Sequence, residues 1–262
     1  MKTHRLVVAL VLVVAGAAAL HAKKKHDNWL DEQFTQWSAQ QVSTIFNKSP
    51  WAQTKSFRGQ VTGMHGTTSD TGAGPASNGA VAGTGGGTLG VDVPDFSFTA
   101  RFFSAQPIRE AYVRMLQITN HYDSLPAEKQ RAFDQQVADR ILHFDVNKAV
   151  IVMLAYHTND PIAQRDMNQW FATQTTDTLK QNAYLYVPKA GQIQLINYIP
   201  PQQGGDVLGA QFIFPRDFNG EPILEPGATG RVRFQFYQPQ INQEMYIDFK
   251  PEEMMYQGQL SY

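Results

Sequence analysis

The stretch from Gly230 to Lys250 constrains the fold most, because it specifies two strands together with their register. Arg231-Val232-Arg233-Phe234-Gln235-Phe236-Tyr237 alternates polar and apolar residues, and Glu244-Met245-Tyr246-Ile247-Asp248-Phe249-Lys250 does the same. A period of two turns one face of each strand toward a core. The short Pro239-Gln240-Ile241-Asn242 between them allows a hairpin. Closing it so that both apolar sets share a face pairs Val232 with Phe249, Phe234 with Ile247 and Phe236 with Met245. Arg233 then opposes Asp248, and Gln235 opposes Tyr246, on the outer face. A slip of one residue would send one apolar set into water, so this register is strongly favoured. The result is an antiparallel sheet, apolar on one side, that something must cover.

The rest of the chain is large enough to supply that cover. It has 262 residues, 42% of them hydrophobic, which can bury a core without covalent staples. There is no cysteine, which excludes disulfides, thiolate nucleophiles and Cys-ligated zinc. Met1-Lys2-Thr3-His4-Arg5 is a basic start, Leu6 to Leu20 is small and aliphatic, and Leu20-His21-Ala22 offers a cleavage site. This pattern predicts a secretory signal peptide over residues 1–22 and a periplasmic or extracellular protein. The apolar run is short for a membrane span, which needs roughly 20 residues, so none is expected after cleavage. An uncleaved anchor is the alternative. Losing Lys2 and Arg5 leaves 20 basic against 23 acidic side chains, −3 formally, which does not suit a nucleic-acid surface.

Along the remaining chain, Ser38-Ala39-Gln40-Gln41 is a capping box, opening a helix with Val42, Ile45 and Phe46 on one stripe. Ser49-Pro50 reads as the start of another helical turn. Thr54 to Thr62 reads as a strand. Ten of the 20 glycines then fall between Gly63 and Gly90. That segment has too little apolar surface to offset its ordering entropy and reads as a disordered loop within one domain of residues 23–262. Its Gly85-Gly86-Gly87-Thr88-Leu89-Gly90 lacks the strand and helix a dinucleotide site needs. Asp95 to Phe103 alternates as a strand. Pro107 to Thr119 and Pro126 to Leu142 have helical spacing, the first with Ile108, Tyr112, Met115 and Leu116 on one face and a strand over Ala111 to Ile118 as its alternative, the second with Phe133, Val137 and Ile141. Ala149 to Ala155 is apolar throughout, as in a strand buried on both faces. Asp160-Pro161 opens a helix with Ile162, Trp170 and Phe171 expected inside. Tyr184 to Val187, Gln192 to Ile199 and Val207 to Phe214 come next as strands, and Pro251 to Tyr262 reads as a tail that adds at most an edge strand. The expected class is α+β, with a mostly antiparallel sheet, N-terminal and central helices, and a sandwich as one way to bury the apolar faces.

Catalytic patterns are lacking. No G-x-S-x-G elbow, S-x-x-K, H-E-x-x-H or Walker loop occurs. The histidines have no ligand spacing; His157, near Asp160, is the best placed of a weak set. Asp217-Phe218-Asn219-Gly220-Glu221 fits an Asn-Gly hairpin turn better than a calcium loop. Neither a metal nor a cofactor is therefore expected. The candidate binding residues are Arg231, Arg233, Tyr237 and Tyr246 on the outer hairpin face, where tyrosine rings and guanidinium groups could meet a glycan or a protein partner.

Trp37-Ser38-Ala39-Gln40-Gln41-Val42, Ser49-Pro50-Trp51-Ala52 and, later, Phe212-Ile213-Phe214-Pro215 resemble segments of a group of uncharacterised secreted bacterial proteins. The resemblance implies secretion and a common architecture; that group has no assigned activity and lends no site residue. The reading is an exported binding or structural module. The alternatives are a hydrolase with a carboxylate or His site assembled from distant residues, and an assembly factor pairing through a sheet edge.

Overall fold

The computed structural model describes residues 31–58, 94–143, 145–201 and 208–262. The signal-peptide reading of 1–22 and the loop reading of Gly63 to Gly90 lie outside them. Two antiparallel sheets face each other. The first has the order β1-β2-β3-β7-β6, built from β1 (Ala52–Arg58), β2 (Asp95–Phe102), β3 (Ala149–Thr158), β7 (Ala210–Pro215) and β6 (Asn197–Ile199). The second has the order β11-β10-β4-β5, built from β11 (Gln243–Phe249), β10 (Val232–Gln238), β4 (Ala183–Val187) and β5 (Gly191–Gln194). The class is α+β, as expected, and the arrangement is a sandwich.

The core is a double layer of phenylalanines. Phe98 meets Phe236 at 5.7 Å between ring centroids, Phe102 meets Phe249 at 4.7 Å, and Phe212 meets Phe234 at 5.0 Å. These rings are fully buried, each contributing on the order of 1.5–3 kcal/mol through burial alone. The hairpin of β10 and β11 has the register read from sequence: Val232 opposite Phe249, Arg233 opposite Asp248, Phe234 opposite Ile247, Gln235 opposite Tyr246 and Phe236 opposite Met245. Its turn is a short 3₁₀ segment, Pro239–Ile241, closed by Asn242 in the left-handed region at φ 48°.

Helix α1 (Ala39–Asn47) starts at the reciprocal Ser38–Gln41 capping box and buries Val42, Ile45 and Phe46. Helix α2 (Gln106–Thr119) packs against it. The face that α2 buries holds Ile108, Arg109, Glu110, Ala111, Val113 and Gln117, whereas Tyr112, Met115 and Leu116 are only half-buried. The Pro126–Leu142 helix is α3 (Ala127–Phe133), a π-helical turn (Asp134–Ala138) and α4 (Asp139–Leu142), with Phe133, Val137 and Ile141 half-buried. Helix α5 (Pro161–Thr173), capped by Asp160, buries Ala163, Met167 and Phe171. Its Phe171 stacks on Tyr156 at 4.2 Å and reaches Phe236 at 6.3 Å.

Four local expectations are corrected. Ile162 is 56% exposed, because the buried stripe of α5 runs through Ala163, Met167 and Phe171 at a spacing of four and Ile162 lies to one side of it. Gln192 to Ile199 is not one strand: β5 ends at Gln194 in the second sheet, the chain crosses at Leu195-Ile196, and β6 joins the first sheet. Ser49-Pro50 forms a turn into β1 rather than a helix, with Ala52 N–H donating to Ser49 O. Pro251 to Tyr262 is a docked hairpin rather than an exposed tail, with β12 (Met255–Tyr256) and β13 (Gln259–Leu260). Trp51 Nε1 donates to Ser261 O at 2.8 Å, and the Tyr262 hydroxyl donates to Leu224 O at 2.7 Å. The Arg216 guanidinium lies 3.9 Å over the Tyr262 ring. The remaining hairpin, β8 (Asp217–Phe218) and β9 (Glu221–Pro222), turns on Asn219 at φ 55° and Gly220 at φ 84°, the Asn-Gly geometry expected.

Candidate functional site

The alternation that buries Val232, Phe234 and Phe236 points Arg233, Gln235 and Tyr237 outward from the second sheet. Glu244, Tyr246 and Asp248 of β11 share that face by register. The same rule applied to β4 and β5 adds Tyr184, Tyr186, Gln192 and Gln194. Two rows cross all four strands side by side: Asp248–Arg233–Tyr186–Gln192 and Tyr246–Gln235–Tyr184–Gln194. With strands about 4.8 Å apart, the tyrosines of β11 and β4 stand about 10 Å from one another across the sheet.

The four residues singled out from sequence divide by role. Arg233 is held by Asp248, with Nε donating at 2.7 Å and Nη2 at 3.1 Å, and Arg231 approaches the same carboxylate at 3.5 Å. The hydrogen bonds from Arg233 hold the Asp248 carboxyl below its usual range, helped by Arg231 and Lys55, and Asp248 in turn raises Arg233. The Arg233 guanidinium lies 5.0 Å over the Tyr246 ring, so this charge is fixed beside an aromatic face. Tyr237 is half-buried at the end of the face, and its hydroxyl donates to Asn242 Oδ1 at 2.8 Å. Tyr246 is 45% exposed.

The open aromatic partner of Tyr246 is Tyr186, 49% exposed, which the alternation of the hairpin alone does not reveal. Neither hydroxyl has a hydrogen-bond partner among the described residues. Gln192 and Gln194 are exposed alongside, and Gln235 donates to Glu244 at 2.8 Å. The signal for this half of the face is present in Ala183-Tyr184-Leu185-Tyr186-Val187, whose alternation places both tyrosines opposite the buried Leu185.

Among the described residues no group of three or more His, Asp or Glu side chains could hold a metal ion. His157 is exposed, and Asp160 is occupied as the cap of α5, accepting from Ile162 N at 2.8 Å and Ala163 N at 2.9 Å. Glu110 is a buried carboxylate, but it accepts from the Tyr256 hydroxyl at 2.5 Å and from Gln106 Nε2 at 2.7 Å, and so fastens the C-terminal hairpin to α2. Burial and this carboxylate raise the Tyr256 hydroxyl far above its ordinary range, which keeps it a donor. A surface hollow of about 460 Å³ lies between the β4–β5 turn and the loop after β9. It is bridged by Lys189 and Glu225 at 2.8 Å, each stabilising the charge of the other.

No family model matches the chain, and no curated protein does. A crystal structure of a protein of unknown function from Burkholderia pseudomallei K96243 is similar over 58% of this chain and 74% of its own, with 11% identity and a TM-score of 0.38. A likeness at that level assigns neither fold nor function. No helix among the described residues is long and apolar enough to cross a membrane.

Proposed function

We propose that this is an exported binding protein that holds an extended glycan on the outer face of its four-stranded sheet. The observation that carries the reading is the pair of rows in which Tyr186, 49% exposed, and Tyr246, 45% exposed with the Arg233 guanidinium over its ring, stand among amides. Sugar rings stack their C–H faces on exposed tyrosines while their hydroxyls pair with amide and guanidinium groups; tyrosine supplies this area at small entropic cost. A peptide adding to a sheet needs a free edge and its main-chain groups, which a sheet face does not offer. Of the four edge strands, β5 and β6 have only four and three residues, which disfavours pairing through them, and the seven-residue edges β1 and β11 lie against each other. The full engagement of Glu110, the one buried carboxylate of the described residues, disfavours the hydrolase reading. The basic–apolar–small pattern of residues 1–22, with the N-terminal resemblance, supports export to a compartment where such polymers occur.

The test is retention of the purified protein on insoluble cell-wall polysaccharide and titration with chitotetraose. Wild type binds saturably, and the double variant Tyr186→Ala, Tyr246→Ala loses affinity about tenfold or more while its circular dichroism and melting temperature stay close to wild type, because both rings are surface-exposed. Unchanged binding in the folded variant removes the platform. Binding to extended peptides but not to glycans replaces the ligand class.

A further inference from the structure

We propose that the groove between α1 and α2 is a second, separate site, which takes a small monocarboxylate with an apolar body. Its walls are Ala39, Val42 and Phe46 of α1 and Met115 and Ile118 of α2, and Arg101 of β2 lies at its base. The groove encloses about 300 Å³, at the small end of the range for ligand pockets.

Arg101 is what makes this more than a packing defect. Its side chain points out of the first sheet under α1 and is 5% exposed. Nε donates to Phe46 O at 2.7 Å and Nη2 to Asn47 Oδ1 at 3.2 Å, so the guanidinium closes the C-terminal end of α1, where a cation is favourable. That accounts for two of its three nitrogens. The third, Nη1, is buried without a hydrogen-bond partner among the described residues, and no acidic side chain there pairs with the group. Burial alone brings the guanidinium down to about 10, the direction expected of a charge taken from water without a counter-ion. A buried charge without a counter-ion is strongly unfavourable, and the helix end and the Phe46 ring, 5.4 Å from the guanidinium, offset only part of it.

The chemistry of the missing partner is set by the count of charges and donors. One guanidinium with one buried, unpaired nitrogen matches a single negative charge. A carboxylate supplies that, whereas a phosphomonoester near neutral pH carries about −1.5 to −2 and would leave charge uncompensated in an apolar groove. The aliphatic and aromatic walls suit an apolar tail, and Ser43 and Asn47 lie at the groove beside α1. The site lies on the first sheet, so it does not depend on the glycan face of the second.

The experiment is calorimetric titration of the purified protein with octanoate, octanol and octyl phosphate. Octanoate is expected to bind saturably at one site, with octanol and octyl phosphate about tenfold weaker or worse, as loss or mismatch of a charge-assisted hydrogen bond requires. Arg101→Met should lose octanoate binding by a similar factor. Because that variant also weakens the end of α1, a second variant, Ser43→Trp, fills the groove from an exposed position and should abolish binding with the fold intact by circular dichroism. Equal affinity for octanol and octanoate, intact octanoate binding in Ser43→Trp, or no saturable binding to wild type would each overturn the site.

Discussion

Arg101 on β2 and Arg233 on β10 occupy equivalent places, each pointing outward from one sheet of the sandwich, yet they are treated in opposite ways. Arg233 keeps 37% of its side chain accessible and is matched by a carboxylate across the strand. Arg101 is roofed by a helix and matched by a carbonyl, an amide and the face of the Phe46 ring, with no carboxylate. The difference lies in the cover each sheet receives. The first sheet carries α1 and α2 over its outer face, where Met153 and Ile151 are also buried. Among the described residues the second carries no helix there, and its outer residues are tyrosines, glutamines and ion pairs suited to water. A charge on the bare face stays inexpensive through screening and pairing, whereas a charge under the roof must find a hydrogen bond for every donor or remain costly.

The sharpest way to test the comparison is to strike the layer that both faces share. Phe236 is fully buried and touches Phe98, Phe171 and Phe212. Phe236→Ala should cost about 3–5 kcal/mol by urea denaturation. Tryptophan fluorescence, to which all four tryptophans contribute, Trp51 beside the roofed sheet and Trp170 on α5 among them, and far-ultraviolet circular dichroism should lose signal in one transition. Two separate transitions would mean that the sheets are independent.

A smaller loss is expected under the roof. Arg101→Met keeps the apolar packing but leaves Phe46 O without its donor, and should destabilise by about 1–3 kcal/mol. A neutral or stabilising result would show that desolvation of the charge outweighs both hydrogen bonds.

The smallest effect belongs to the bare face. Asp248→Asn should cost about 0–1 kcal/mol at pH 7, since a third of this side chain is in water. Asp248 titrates lower in the folded protein than in the unfolded chain, so its contribution is complete above the unfolded value of about 4 and fades as pH falls through the lower folded value. The stability gap between wild type and variant should therefore close on acidification below about pH 4. A gap that widened there would reverse the assigned shift.

Where sequence reasoning succeeds, the deciding contacts are local. Alternation and a short turn determine every pair of the β10–β11 hairpin, and Ser38 with Gln41 determines the start of α1, because the residues involved are at most about twenty positions apart. Where it falls short, the deciding contact is distant. Nothing in Leu195-Ile196 announces a change of sheet, since both halves alternate alike. Alternation puts Arg101 on the face of β2 opposite Phe98 and Phe102, and α1, some 55 positions earlier, covers it there. Tyr186 joins Tyr246 on one face through β10, which lies 47 residues beyond it at Arg233. The candidate face is thus half legible, and its better aromatic half is hidden by strand order rather than by composition.

The hydrogen bond from Trp51 to Ser261 joins residues 210 positions apart. For stability that distance matters little, because the entropy of closing a loop rises by only about 0.6 kcal/mol for each doubling of its length. For rate it matters a great deal. The strands between these residues are themselves paired non-locally, β3 with β7 and β4 with β10, and topologies of that kind fold over milliseconds to seconds rather than microseconds. The corner where Trp51, Tyr256 and Ser261 meet works as a clasp on a finished object: it adds few contacts, and it can close only after both sheets have found each other.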